Sequence, residues 1–391
     1  MSTLIPIREP GATAAAGPSW RAFLELGFRP LYLAGASWAL VSVLIWIFVP
    51  HWAGGELAGL PWHAHEMLWG FVATIAIGFL LTAGANWTGI TPLAGPPLGA
   101  LLALWAAARV GYLLPQPSAL WVAAAAEFLF FAVAAAAMGR AVWRSRNRRN
   151  YIVPFLMLGL GLTHLLYIAW LDDWTVALRG FHAGLLVMAL IALLVARRVI
   201  PFFAMRAVQG LQIPMHDRSA SWQQWAAGVA VAALLAGWGW LQAAALALAG
   251  AISLWQVISW RPAAVRARPI LWILYLGYAG LGVGLITSAA QAAGVAMPSA
   301  LPVHLVAMAG FSLLIIGMLT RTALGHTGRP LTATPAIRGI YIAAGLSAVA
   351  RIAAAFDLAR EAMLYVSATA WVIAFAGFVI VYAPLLLRPR P

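Results

Sequence analysis

Long apolar runs, separated by short stretches rich in proline, glycine and arginine, most constrain what this chain can fold into. Hydrophobic residues make up 64% of its 391 residues and charged residues only 9%. A soluble domain, by comparison, typically has about 25% charged residues. A membrane-spanning helix needs roughly 20 mostly apolar residues. The runs have about that length, so we predict a polytopic membrane protein of the all-α class.

Dividing the runs at their breaks predicts a bundle of about 12 transmembrane helices. The turn between the seventh and eighth helices, near residue 242, has the weakest signal. Residues 1–20 are predicted to be a disordered cytoplasmic tail, and residues 21–391 a single transmembrane bundle in which we see no strong internal repeat. The predicted spans are 31–49, 62–84, 94–114, 118–142, 151–171, 179–200, 221–241, 243–260, 269–290, 302–322, 335–355 and 363–387.

Arginine supplies the positive charge of this chain, and the positions of the arginines predict its orientation. Cytoplasmic loops of membrane proteins collect basic residues. With a cytoplasmic N-terminus, all but four of the 24 arginines fall on the cytoplasmic side; the exceptions are Arg109, Arg179, Arg351 and Arg360. We therefore predict that both termini are cytoplasmic. This spread over short loops also fits contact with membrane lipids rather than a nucleic-acid groove.

Histidines are concentrated at the outer ends of the predicted helices. Five of the eight histidines fall there, on four helices. The deepest, His164, lies seven residues before Leu171, or about 10 Å below the outer surface. Ionisable groups in a membrane need partners, and imidazole is a common ligand of metals and haem iron. We predict that haem or metal is bound by members of this layer, which are His63, His65, His164, His182 and His304.

The spacing of these histidines limits how they can act together. His63 and His65 are two residues apart, about 200° around a regular helix, so we expect only one of them to be an axial ligand. Met67 and Met308 each lie four residues after a histidine of the layer. A thioether beside imidazole suits copper, although methionine as flexible core filler is the alternative. The chain has no cysteine, so thiolate ligands are excluded.

Charged side chains complete the predicted site. A guanidinium at this depth needs an anionic partner, which haem propionates or neighbouring carboxylates would supply. Arg109, Arg179 and Arg351 are therefore predicted to bind a cofactor. Glu66 is the predicted catalytic group, acting as a proton donor. Glu127, in the middle of the fourth predicted helix, is either part of a proton path or a structural hydrogen-bonding group.

Four segments of the sequence resemble the NnrS family, and the similarity runs from about residue 20 to the C-terminus. The pairing of WHAHEM with NWTG is its most specific element. Family motifs carry over onto His63, His65, Glu66, Asn86, Trp87, Arg179, His182, His304, Arg321 and His326. The four segments are GFRPLYLAGASWAL, LPWHAHEMLWGFVATIAIGFLLTAGANWTG, RGFHAGLLVMALIALLVARRVIPFF and LPVHLVAMAGFSLLIIGMLTRTALGHTGRPL.

The resemblance implies a protein of the bacterial inner membrane that contains haem b and, less firmly, copper. It also implies a role in denitrification and in protection against nitric oxide and nitrosative stress. If the chain is an enzyme, the expected activity is that of an oxidoreductase acting on nitric oxide. The topology predicts that the haem and metal layer lies towards the periplasmic side.

Three functions follow from these observations. The first is a haem or haem-copper membrane protein that binds or metabolises nitric oxide. The second is a permease for a small anion or a metal, in which the histidines and arginines form the substrate site. The third is a haem-bound sensor or assembly partner without catalytic activity. Transporters often contain internal repeats and broken helices at the membrane midplane, and the clustering of the histidines at one face argues against the second.

Overall fold

A computed structural model describes residues 17–390 and is helical, without strands, throughout that part of the chain. Of the predicted tail, residues 1–20, the first 16 residues lie outside the described part of the chain. Short turns join twelve long helices: α1 Phe28–Phe48, α2 Leu60–Thr88, α3 Pro96–Gly111, α4 Pro117–Arg144, α5 Val153–Ala169, α6 Trp174–Ala207, α7 Asp217–Ala236, α8 Gly239–Ser259, α9 Pro269–Ala292, α10 Leu301–His326, α11 Pro335–Ala355 and α12 Arg360–Leu386.

The described residues include ten helices that are long and apolar enough to cross a membrane. The all-α, multi-pass membrane fold is therefore confirmed. The two helices outside this set are α3, which has 16 residues, and α7, which begins with the polar sequence DRSASWQQ. The count of twelve spans and the cytoplasmic position of both termini stay predictions.

Two helix boundaries differ from the sequence prediction for identifiable reasons. The turn between α7 and α8 lies at Gly237 and Trp238 rather than near residue 242. Gly237 ends α7 in the left-handed conformation, with φ at +74°, which glycine adopts without a steric penalty. Helix α6 begins earlier than predicted because the carboxylate of Asp173 accepts hydrogen bonds from the first-turn amides of Thr175 and Val176.

The helices pack in three groups, in which every neighbour pair except α12 and α1 is also adjacent in sequence. These groups are α11–α12–α1–α2, α3–α4–α5–α6 and α7–α8–α9–α10. Helices α2, α6 and α10, which end the groups, are the most buried of the ten apolar helices. These three helices therefore lie nearest the interior of the bundle.

Helices α2 and α10 share a short motif at their beginnings. Both begin with Leu-Pro-x-His-x-x-x-Met, at residues 60–67 and 301–308. Both then enter a π-helical segment, Glu66–Ala73 in α2 and Leu305–Ser312 in α10. A π segment leaves carbonyls with altered partners and is common at functional sites. Here the hydroxyls of Thr74 and Ser312 donate to carbonyl oxygens five residues earlier, at 3.1 and 2.9 Å.

Candidate metal centre

A buried cluster of two histidines and a glutamate joins α2, α4 and α5. Nε2 of His65 lies 3.2 Å from Oε2 of Glu127, and Nε2 of His164 lies 3.3 Å from the same oxygen. The solvent-exposed fraction is 0% for both histidines and 1% for Glu127. One ligand atom from each of the three residues lies within 4.8 Å of the other two. The cluster therefore presents two imidazole nitrogens and a carboxylate to one point.

Local sequence explains how the three side chains reach this point. His65 is the last residue before the π segment of α2, so the change in helical pitch begins directly after it. Glu127 follows four consecutive alanines on α4, and the small side chains before it allow neighbouring helices to approach closely. His164 is buried on α5, which packs against α4. The cluster is thus built by helix packing rather than by a loop.

Glu66 fixes the orientation of His65. Its Oε1 lies 2.9 Å from Nδ1 of His65, so Nδ1–H donates to the carboxylate and Nε2 faces Glu127. Metal-binding histidines commonly donate their second ring N–H to a carboxylate in this way. The other oxygen of Glu66 accepts from Nε1–H of Trp38 at 2.5 Å and from Arg109. Both oxygens of Glu66 are thus occupied by contacts that hold its neighbours in place, and its role as a proton donor stays a prediction.

Arg109 bridges the two carboxylates. Its Nη1 bonds Oε2 of Glu66, and its Nη2 lies 2.5 Å from Oε1 of Glu127. The guanidinium is 3% exposed, so these charges interact away from water. Two carboxylates against one guanidinium leave one formal negative charge. A metal cation, or a proton on an imidazole, neutralises that charge.

The geometry of the cluster fits a single metal ion. Nε2 of His65 and Oε2 of Glu127 are buried and form no hydrogen bond among the described residues, although they are only 3.2 Å apart. Metal–nitrogen bonds of 2.0–2.1 Å in a tetrahedron would place the ligand atoms about 3.3–3.4 Å apart. The observed separations are close to that value. Imidazole and carboxylate donors without a thiolate suit zinc, copper or iron.

Aromatic side chains close the cluster. The Tyr112 ring lies 4.5 Å from the His65 ring, centroid to centroid, and its hydroxyl is 2.9 Å from Nε2 of His164. The rings of Tyr167 and Trp69 pack on the His65 imidazole, with centroids 6.1 and 5.4 Å from its centroid. Rings at these distances leave no room for a porphyrin between the two histidines. The cluster fits an ion, and any haem would have to be bound by other residues.

The backbone of α2 at Gly70 lies directly against the Arg109–Glu66 ion pair. A methyl group added there would overlap Nη1 of Arg109 and lie 2.5 Å from Oε2 of Glu66. We expect Gly70→Ala to displace the Arg109–Glu66 pair and to lower metal affinity by about 10-fold or more. The control is Gly345→Ala on α11, where the added methyl group meets no atom within 4 Å. Metal titration of both purified variants checks this, and equal affinities would contradict it.

The five predicted histidines do not all share one environment. His65 and His164 form the cluster, whereas the ring of His63 stacks on Trp46 with centroids 4.8 Å apart. Nδ1 of His63 is buried without a hydrogen-bond partner among the described residues. Nδ1 of His304 lies 2.7 Å from its backbone acceptor, the carbonyl oxygen of residue 300. The ring of His182 packs edge-on against its neighbour in sequence, Phe181, at 5.6 Å.

The remaining predicted residues have different outcomes. Met67 and Met308 are half-buried and pack against the hydrophobic core, and their role as metal ligands stays a prediction. Arg109 is at the site, where it pairs with Glu66 and Glu127, and its contact with a cofactor stays a prediction. Arg179 is exposed, and Arg351 is half-buried; among the described residues, neither forms an ion pair.

Two residues of the cluster were not identified as such from the sequence. Glu127 was expected to have a proton-path or structural role, and its place beside the two imidazoles depends on how α4 packs. The sequence does show that Glu127 is a carboxylate in the middle of an apolar helix, and a carboxylate there is unfavourable unless it has a partner. Tyr112 follows directly after α3 and gave no signal, since a tyrosine near a helix end is also typical of the membrane interface.

Comparison with known proteins gives one assignment. A protein-family model described as NnrS protein matches residues 22–390, nearly the whole chain. The resemblance seen in the sequence is thereby confirmed. A comparison with curated proteins returns no match.

Proposed function

The chain belongs to the NnrS family, and from that premise we propose that it is an inner-membrane protein of the nitric oxide response that binds a metal ion at His65, Glu127 and His164. The observation that carries the proposal is the buried donor set, in which Nε2 of His65 and Oε2 of Glu127 form no hydrogen bond among the described residues. Nitric oxide is small and apolar, so it reaches a centre inside the bilayer without a carrier. A metal bound here would supply Lewis acidity and a coordination position for such a ligand.

The residues around the donor set have defined tasks in this proposal. Glu66 and Arg109 hold His65 and Glu127 in place through charge-assisted hydrogen bonds. The aromatic rings of Tyr112 and Tyr167 exclude water, which strengthens the electrostatic interactions inside. The Tyr112 hydroxyl, 2.9 Å from Nε2 of His164, is placed to donate or accept a proton beside the centre.

The second part of the proposal concerns where haem would bind. The cluster fits one ion, so the haem that the family resemblance implies would be held by imidazoles elsewhere in the bundle. His63 and His304 are the best supported because they occupy equivalent positions in the motif shared by α2 and α10. Nδ1 of His63 lacks a partner, and the Nδ1 contact of His304 leaves its Nε2 available. Copper or another transition metal would then occupy the His–Glu–His cluster.

The two alternatives receive less support. An anion permease that used the His–Glu–His cluster as its substrate site would need a free cation there. The guanidinium of Arg109, the cation at that cluster, is already paired with two carboxylates. A haem-bound sensor would share the same centre but would not turn over nitric oxide. Reconstituted protein supplied with an electron donor and nitric oxide separates the sensor from an oxidoreductase by whether nitric oxide is consumed.

Elemental analysis of the purified protein tests the metal centre. We expect about one transition-metal ion per chain in addition to any haem iron, and we expect His65→Ala and His164→Ala to lose it. His51→Ala, in an exposed turn, is the control and should retain the metal. Metal content equal to wild type in both site variants would refute the assignment.

Optical spectra test the haem part independently. Protein from a haem-replete host should show a Soret band that shifts with nitric oxide. His63→Ala and His304→Ala should lose or alter that band while keeping the non-haem metal. A haem-free wild-type protein would overturn this part of the proposal and leave the metal centre standing.

A further inference from the structure

An apolar pocket that is about half open lies between the helices, and none of the His–Glu–His residues lines it. Its volume is about 70 Å³, and side chains from α1, α2, α6, α9 and α10 line it. On α6 the lining extends from Met188 to Ile200, twelve residues, or about 18 Å along the helix axis. The cavity is therefore a narrow slot parallel to α6.

Small side chains on two helices create this slot. Ala192 and Ala196 stand one turn apart on α6, and Ala76 faces them from α2. Each of these methyl groups occupies a position where a larger aliphatic side chain would fill the space. Protein interiors are normally close-packed, so an unfilled apolar space of this size needs an explanation.

The side chains that line the slot indicate which kind of molecule it would bind. Every lining side chain except that of Tyr32 is hydrocarbon or thioether. A buried water needs two to four polar partners, and empty apolar cavities stay dry and bind molecules such as xenon. The hydroxyl of Tyr32, which has no hydrogen-bond partner among the described residues, is the one polar group on offer. Water is thus disfavoured, and a small apolar molecule is favoured.

We propose that this slot is a binding site for a small apolar molecule the size of a diatomic gas, which enters from the bilayer. The inference rests on the lining and does not depend on the metal centre. If the proposed function is correct, nitric oxide belongs to this ligand class, and the slot would hold it inside the bundle.

Xenon is the probe, because it is inert, apolar and visible by anomalous scattering. In crystals of the full chain under xenon pressure, we expect an anomalous peak between Ala192 on α6 and Phe311 on α10. We expect Ala192→Leu to fill the slot and abolish the peak. The control is Ala244→Leu on the exposed face of α8, which should leave the peak unchanged.

Three outcomes would overturn the inference. One is the absence of a xenon peak in the wild-type slot. Another is a peak that persists in Ala192→Leu when thermal unfolding shows that the variant is folded. The third is continuous density for a lipid or detergent chain in the slot, which would make it a lipid site. Failure of the metal analysis would leave this result untouched.

Discussion

Arg109→Ala is expected to lower the free energy of unfolding by about 3–5 kcal/mol, because it leaves the carboxylates of Glu66 and Glu127 buried without their shared cation. Arg109→Lys should recover only part of this loss. A lysine ammonium is a point charge and does not reproduce the fork that bonds both carboxylates. Thermal unfolding of the protein in detergent, followed by circular dichroism, measures the effect.

The matched control is Arg179→Ala. Like Arg109, Arg179 is predicted from the sequence to bind a cofactor, but its side chain is exposed, and it forms no ion pair with the described residues. We expect its removal to change the free energy of unfolding by no more than about 0.5 kcal/mol. If the two variants unfolded at the same temperature, the charge bridge would not stabilise the bundle.

Glu127→Gln is expected to lower metal affinity by more than about 100-fold while the fold is retained. The amide keeps the side-chain volume, and its oxygen still accepts a hydrogen bond from Arg109. It removes the anionic donor that lies 3.2 and 3.3 Å from the two imidazoles. Groups that only orient a ligand typically contribute about 10–100-fold to affinity, so loss of a direct ligand should exceed that range.

Glu66→Gln is the matched control for Glu127→Gln, because it makes the same chemical change at a neighbouring carboxylate. Glu66 orients His65 through Nδ1 but does not belong to the donor group. Its loss should therefore fall within the range of about 10–100-fold. Titration of metal-free protein with zinc or copper, read by the rise in unfolding temperature, gives both affinities. A larger effect at Glu66 than at Glu127 would reverse their assigned roles.

The sequence by itself determined the class of the protein and the region of the site. Its apolar runs require a membrane bundle, because backbone groups in lipid must bond within a helix. The angular separation of His63 and His65 also follows from helix geometry, and the structure places them in different surroundings. The family could be recognised from motifs such as WHAHEM. These features are local in sequence, so no knowledge of helix packing was needed.

Only the tertiary structure decided which of these residues meet. Sequence gives the depth of a residue in the membrane, but it does not give the lateral order of the helices. Five histidines at one depth could pair in many ways, and the packing of α4 against both α2 and α5 brings Glu127 to His65 and His164 rather than to His182 or His304. The same packing gives Arg109 two carboxylates. The π segment after His65, which changes the pitch of α2 within the site, likewise became visible only in the fold.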